Sequence, residues 1–293
     1  MSSRALPSPL VERLPGYPWD RLAPYQARAA AHPGGVVDLS IGTPVDPTPQ
    51  VVRDALIAAA NAPGYPATAG TAALREAAVA WFARRLGVPD VDPSAVLPTM
   101  GSKELVAWLP TLLGLGAGDV VAYPRLAYPT YEIGALISGS QPVATDSLTS
   151  LGPQRPGLLW LNSPANPSGK ILPPEHLAKV VAWGRERGVV IAADECYIEY
   201  GWDETPLSIL HPDVCGGSHE GLLAVHSLSK RSNLAGYRAA FVAGDPMLVA
   251  GLLESRKHAG MMMPSPVQAA MTAALMDDAH VDAQRERYAS RRA

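Results

Sequence analysis

"LLAVHSLSKRSNLAGYR", residues 222–238, decides how the rest of the chain is read. Leu222 to Val225 is a short, fully apolar run of the kind that makes a buried strand. It ends in Ser227, then Lys230, and Arg238 follows eight positions later. The chain of 293 residues has five lysines, Lys103, Lys170, Lys179, Lys230 and Lys257, so one at the end of a buried strand asks for a chemical reason.

Working outward, similar runs recur: "DVVAYP", "QPVATD", "GLLWLN", "GVVIAAD" and "AAFVAG". Between them lie helical patterns, "SKELVAWLPTLLG", "TYEIGALISG", "PPEHLAKVVAWGRERG" and "PMLVAGLLESRKHAG". Apolar strands alternating with amphipathic helices predict an α/β fold, a mainly parallel sheet sandwiched by helices. Upstream, "TPQVVRDALIAAAN" reads as a helix with Thr48 as N-cap and Pro49 at its first position. "TAALREAAVAWFARRLG" reads as a stronger one. Its stripe is Leu74, Ala77, Ala78, Trp81 and Phe82, and Gly87 terminates it.

Composition removes several classes of function. The chain is 47% hydrophobic and 17% charged with a formal net charge of −3. It has no basic excess to advertise nucleic acid or an anionic membrane surface. Cys196 and Cys215 are too few for a disulfide framework, which suggests a reduced, cytoplasmic setting. The N-terminal stretch, broken by Pro7, Pro9, Pro15 and Pro18, lacks the apolar core of a signal peptide. The longest apolar stretch, Leu105 to Tyr123, is interrupted by Pro110, Gly114, Gly116, Gly118 and Asp119, so it reads as helix, turn and strand rather than a membrane span. "GLGAGD" has the wrong spacing for a dinucleotide fingerprint. His211, Cys215 and His219 lie in a Pro/Gly loop with no fourth zinc ligand nearby, so no metal site is expected.

Open sheets of this kind bind ligands beyond the carboxyl ends of their strands. Three strand ends carry chemistry: Asn166 in "SPANPSG", Asp194 before "ECY", and Ser227 with Lys230. Taken singly, Asp194 is a turn residue or cap, Asn166-Pro167 a turn, and Lys230 a solvated lysine. Together they supply what pyridoxal phosphate needs: an amine for its aldehyde, a carboxylate for its ring nitrogen, a donor for its phenolic oxygen, and a cation with a hydroxyl for its phosphate.

"NPSG", "DECY" and "SLSKRSNLAGYR", in that order, resemble the class I/II aminotransferases, the fold-type I enzymes that depend on pyridoxal 5'-phosphate. The resemblance covers nearly the whole chain. It implies that Lys230 is the cofactor lysine and proton shuttle, that Asp194 faces the pyridine nitrogen, and that Asn166 and Tyr197 bond the phenolic oxygen. It further implies that Ser227 and Arg238 bind the phosphate together with Gly101, Ser102 and Lys103 of "TMGSKE", and that Tyr128 of "YPRLAYPTY" stacks on the ring. Gly42 of "IGTPVDPTP" is expected near the substrate carboxylate, with Asn166. Tyr65 of "GYPATAGTAALREA" is expected to reach a neighbouring subunit's phosphate, which implies a homodimer.

"SLSKRSNLAGYR" with "RKHAGMMMPSPVQAAM" looks like the actinobacterial succinyldiaminopimelate transaminases. That implies amino transfer between N-succinyl-LL-2,6-diaminopimelate and 2-oxoglutarate, in lysine and diaminopimelate biosynthesis. Another class I/II aminotransferase or a C–S lyase on the same scaffold is the alternative, as is a truncated cofactor-binding protein of low activity. The domains expected from the resemblance are an N-terminal arm and part of the small domain over 1–45, the cofactor-binding large domain over 46–275, and the start of a truncated small domain over 276–293. Arg285, Arg287, Arg291 and Arg292 near the end do not match the family's carboxylate-clamp arginine, so weak transamination is expected of this chain.

Overall fold

The computed structural model describes residues 9–293. The chain divides into two compact units, Met1–Pro44 and Val45–Ala293. The first carries helices α1 (Pro9–Arg13) and α2 (Ala23–Ala30), and Val37 and Leu39 in it are exposed.

The second unit runs α3 (Gln50–Ala58), α4 (Ala72–Leu86), β1 (Val96–Met100), α5 (Ser102–Leu112), β2 (Val120–Tyr123), α6 (Thr130–Ser138), β3 (Gln141–Ala144) and β4 (Leu158–Asn162). It continues α7 (Pro174–Arg187), β5 (Val190–Asp194), α8 (Pro212–Cys215), β6 (Leu222–Ser227), α9 (Leu228–Arg231), β7 (Ala239–Gly244), α10 (Pro246–Ala259), α11 (Ser265–Met276) and α12 (Ala279–Arg292). The strands form one seven-stranded sheet in the order β1-β7-β6-β5-β4-β2-β3. The five strands from β6 to β3 are mutually parallel, whereas β7 runs antiparallel to both neighbours. That reversal follows from the link after β6. Only α9 and the turn Ala235–Tyr237 separate β6 from β7, too short a connection for a crossover.

All six strands expected from apolar runs are present. Strand β1 is an addition: Pro98 sits in its middle, and proline belongs to edge strands, which is where β1 lies. The opposite edge, β3, also carries a proline, Pro142. At the two ends of β3 the amide of Gln141 donates to Asp119 O and that of Thr145, just past the strand, to Tyr123 O, both on the β2 side. The alternation of the ladder therefore turns the position of Pro142 N to the open side.

Both faces of the sheet are buried, and side chains sort between them with period two. Leu159, Leu161, Ile191, Ala193, Leu222, Ala224 and Phe241 join a core with α4, α7 and α11. Leu158, Trp160, Ala192, Leu223, Val225 and Val242 join a second core with α5, α6 and α10. Each fully buried large side chain contributes about 1.5–3 kcal/mol. In α4 the predicted stripe Leu74, Ala77, Ala78, Trp81 and Phe82 is buried, and Gly87 closes the helix in the left-handed region at φ 66°. Helix α3 differs from expectation. It begins after Pro49, and the Thr48 hydroxyl donates to Asn233 O at 3.4 Å instead of capping it. The tertiary partner outcompetes the local cap. Where a membrane span was excluded, α5, a turn and β2 are found. Among the described residues no helix is long and apolar enough to cross a membrane.

Candidate active site

The carboxyl ends of β4, β5 and β6 place Asn162, Asp194 and Ser227 along one rim of the sheet. Residues Asn162 and Asp194 are register partners, and Asn162 Nδ2 donates to Asp194 O at 2.9 Å. Asn162 Oδ1 in turn accepts the amide of Asn166 at 2.6 Å, fixing the loop that follows β4. Asn166 is half-buried there.

Asp194 is 6% exposed. Its Oδ2 accepts the Tyr131 hydroxyl at 2.9 Å and its Oδ1 the Cys196 amide at 3.2 Å. Burial raises its pKa, against the lowering effect of these donors. Tyr131 is itself fully buried, stacked on Trp160 at 5.0 Å and 24°, and its phenol is pushed well above the usual tyrosine value by burial. The Tyr128 ring stands edge-on to Tyr131 at 5.9 Å and 85°. Tyr197 lies within electrostatic reach of Asp194, Cys196 and Tyr128, and burial pushes its phenol up to about 12. It is therefore a neutral hydroxyl across the physiological range.

Lys230 sits on α9, three residues beyond Ser227, and is half-buried. Burial pulls its amine below the ordinary lysine value, with the neighbouring Cys196 acting the other way. A lowered pKa leaves more of the amine unprotonated, the form that attacks a carbonyl. The Ser227 hydroxyl accepts the Ser229 amide at 3.1 Å and so caps the turn that carries the lysine.

The start of α5 and Arg238 meet at Gly101. Gly101, at φ 85°, is the N-cap of α5, and Ser102 and Lys103 are its first residues. Helix N-termini present unpaired N–H groups and a partial positive charge. Arg238, a non-glycine residue in the left-handed region at φ 55°, lays its guanidinium against Gly101. A Cβ built on Gly101 would lie 2.7 Å from Arg238 Cζ, so only glycine admits the arginine there. Burial raises the Cys196 thiol well above the usual cysteine value, with the nearby Ser102 hydroxyl acting the other way.

Of the residues expected at the site, ten lie in one unit: Asp194 and Ser227 at strand ends, Gly101, Ser102 and Lys103 at the start of α5, Lys230 on α9, and Tyr128, Asn166, Tyr197 and Arg238 in the connecting loops and turns. Tyr65 is 97% exposed on that unit, and Gly42 belongs to the other unit. Sequence reasoning missed Tyr131 and Asn162. Tyr131 stands one helical turn after Tyr128, a spacing that could have raised it. The residues weighed as a zinc site have structural work: the His211 ring caps α8 by accepting the Asp213 amide, and the Cys215 thiol donates to Leu210 O.

The pattern of the family described as aminotransferase class I and II matches residues 34–293. The chain belongs to that family. Class I/II aminotransferases use pyridoxal 5'-phosphate, and the donor set here fits it. Arg238 and the α5 N-terminus suit a phosphate, Asp194 suits a ring nitrogen, and Lys230 suits an aldehyde. Among relatives of this aminotransferase, a probable aminotransferase of Mycobacterium tuberculosis is 63% identical over 280 residues, covering 96% of this chain and 67% of that protein. The 4-dedimethylamino-4-oxo-anhydrotetracycline transaminase OxyQ of Streptomyces rimosus is 62% identical over 282 residues, covering 96% and 78%. A crystal structure of an aminotransferase from Neisseria meningitidis superposes with a TM-score of 0.88 at 35% identity, covering 96% of this chain and 76% of that one.

Proposed function

We propose that this aminotransferase moves an amino group between N-succinyl-LL-2,6-diaminopimelate and 2-oxoglutarate, and that it works as a homodimer in the cytoplasm. The observation that carries the cofactor half of the proposal is the Arg238 guanidinium packed on Gly101 at the start of α5, within the unit that holds Asp194 and Lys230. The substrate half is supported by the wording of "SLSKRSNLAGYR" and "RKHAGMMMPSPVQAAM". A second reading has its own support. The 62% identity to OxyQ favours the oxo group of an anhydrotetracycline as amino acceptor. The domain reading proposed is an arm over 1–45, the cofactor-binding body over 46–275, and the start of a small domain from 276.

The bound cofactor supplies an aldehyde for amine exchange and a ring that accepts electron density. In the proposed roles, Lys230 Nζ would be the amine that holds the cofactor's aldehyde end. It would also be the base that takes the donor's α-proton and gives it back. Asp194 would keep a ring nitrogen protonated, and its low exposure would strengthen that interaction. Tyr197 and Asn166 would donate to the phenolic oxygen, and Tyr128 would pack against the ring. Arg238, Ser227 and the α5 N-terminus would hold the phosphate. Tyr65, exposed on the same unit, would reach the site of the partner in a dimer.

The test is a half-reaction. The purified chain with pyridoxal phosphate and N-succinyl-LL-2,6-diaminopimelate should yield pyridoxamine phosphate and the oxo acid, and Lys230→Ala should not. Faster amination of an anhydrotetracycline ketone than of 2-oxoglutarate would favour the second reading. Near-normal turnover in Lys230→Ala would refute the cofactor assignment.

A further inference from the structure

The turn that carries Lys230 is gripped at two consecutive residues by two consecutive residues of another loop. The Tyr200 hydroxyl donates to the Lys230 carbonyl oxygen at 2.8 Å. The next residue, Arg231, sends Nε to Glu199 Oε1 at 2.6 Å. Arg231 and Glu199 are 4% and 5% exposed at their side chains, so this pair is desolvated on both sides. Glu199 also accepts the Trp81 indole N–H at 2.9 Å and Arg85 Nη2 at 2.8 Å, both from α4. Arg231 Nη1 spends its protons on Ala274 O at 2.8 Å and Ser232 Oγ at 3.1 Å.

Glu199 and Tyr200 close a single turn, Ile198–Tyr200, that begins four residues after Asp194. One short segment therefore carries the buried acid, Tyr197 and both gripping residues. A shift of the Lys230 backbone relative to Asp194 has to break the Tyr200 bond or pull a buried guanidinium from its carboxylate. Breaking such a pair is costly because it leaves an uncompensated buried charge. The segment is braced from outside by α12. Arg285 donates to Glu199 O and Gly201 O, and the Tyr288 ring stands edge-on to Tyr200 at 5.4 Å.

We propose that Glu199 and Tyr200 form a clamp that positions Lys230 for proton transfer. The proposal rests on reading Lys230 as the cofactor lysine. Glu199 and Tyr200 act through the backbone and through Arg231, so they are positioning residues. Proton transfer falls off steeply when the base is displaced by a fraction of an ångström. The clamp should therefore show in the rate of the proton step and hardly at all in binding.

Tyr200→Phe is the decisive variant, because it keeps the ring packing and removes only the donor to Lys230 O. Glu199→Gln removes the buried charge and is the riskier fold, so its thermal melt is measured alongside. The first readout needs no cofactor. Reductive ¹³C-methylation of the full chain gives NMR signals from its five lysines, and Lys230→Ala identifies the one that matters. In Tyr200→Phe the Lys230 signal should move or broaden while the other four stay. In single-turnover half-reactions the maximal rate should fall tenfold or more, with the dissociation constants of donor and cofactor within threefold of the parent. A Lys230 signal left in place and a rate within twofold would overturn the clamp, whatever happens to the melting temperature. Failure of the underlying reading looks different: Lys230→Ala would then still carry out the half-reaction. The cofactor-free spectrum decides the clamp even where turnover is slow.

Discussion

Replacing Gly101 by alanine tests the proposed phosphate end of the site with two separable costs. The first is conformational. Gly101 adopts φ 85° and ψ 149°, a region that residues with a Cβ rarely occupy, and such strain costs about 1–3 kcal/mol. That should lower the melting temperature by roughly 2–4 °C per kcal/mol. The second cost is steric. The new Cβ would lie 2.7 Å from Arg238 Cζ and 3.2 Å from Nε. Ordinary contact starts near 3.5 Å, so the guanidinium has to withdraw by about 1 Å. As the end of a flexible side chain it can do so at little cost to the fold, but it leaves the proposed phosphate position. Loss of one charge-assisted hydrogen bond is worth about 1.5–3 kcal/mol, or roughly 10- to 150-fold in affinity. The assay is titration of the cofactor-free chain with pyridoxal phosphate, followed by tryptophan fluorescence. Arg238→Ala should weaken binding to a similar degree, and the double variant should lose little more, because both act through one contact. A dissociation constant for Gly101→Ala within threefold of the parent would refute the reasoning, as would fully additive losses in the double variant.

Other consequences follow from the same geometry. Tyr131→Phe keeps the stack on Trp160 but takes a donor from Asp194 Oδ2. It should cost about 1–3 kcal/mol and shift the visible absorbance of the bound cofactor; an unchanged melt and band would contradict it. Gly134→Ala would put a Cβ 2.7 Å from Val106 O and 3.2 Å from Ala107 O, backbone atoms that cannot swing aside. Helix α6 would have to lift from α5 at about 1–3 kcal/mol, read as a lower melting temperature. The Arg291 guanidinium, with Gln284, holds the Asp46 carboxyl down at about 2. A depressed folded-state pKa gives stability that is present above about 4 and lost as pH falls toward 2. Asp46→Asn should therefore melt below the parent at pH 5, with the gap closing as pH drops to 2, and a constant gap would show that the pair is not the cause.

Strand order in the chain and the residues proposed for the cofactor are read from local pattern. Apolar runs bounded by glycine or aspartate mark β2 to β7, and chemistry at strand ends marks Asp194, Ser227 and Lys230. Strand β1 escaped because Pro98 disguises it as loop. Residues whose roles arise from distant partners were also hidden. Tyr131 is a plain aromatic on an amphipathic helix until Asp194, 63 positions on, is folded against it. Glu199 reads as a surface acid until Trp81 and Arg85, more than a hundred positions away, close around it. The left-handed backbone of Arg238, which aims its side chain at Gly101, has no local sequence cue, since non-glycine residues seldom adopt it.

The prolines in the two outermost strands bear on a hazard that catalysis never meets. A sheet edge with a free row of N–H and C=O groups is a template on which another chain can add a strand. Pro98 has no N–H to offer in the middle of β1, and Pro142 stands where an outward N–H of β3 would be. Foreign strand addition is thus interrupted at both ends of the sheet. Parallel sheets assemble slowly from distant segments and expose such edges on the way. Substituting Pro142 by valine would leave the finished enzyme nearly unchanged and make its refolding more prone to aggregate.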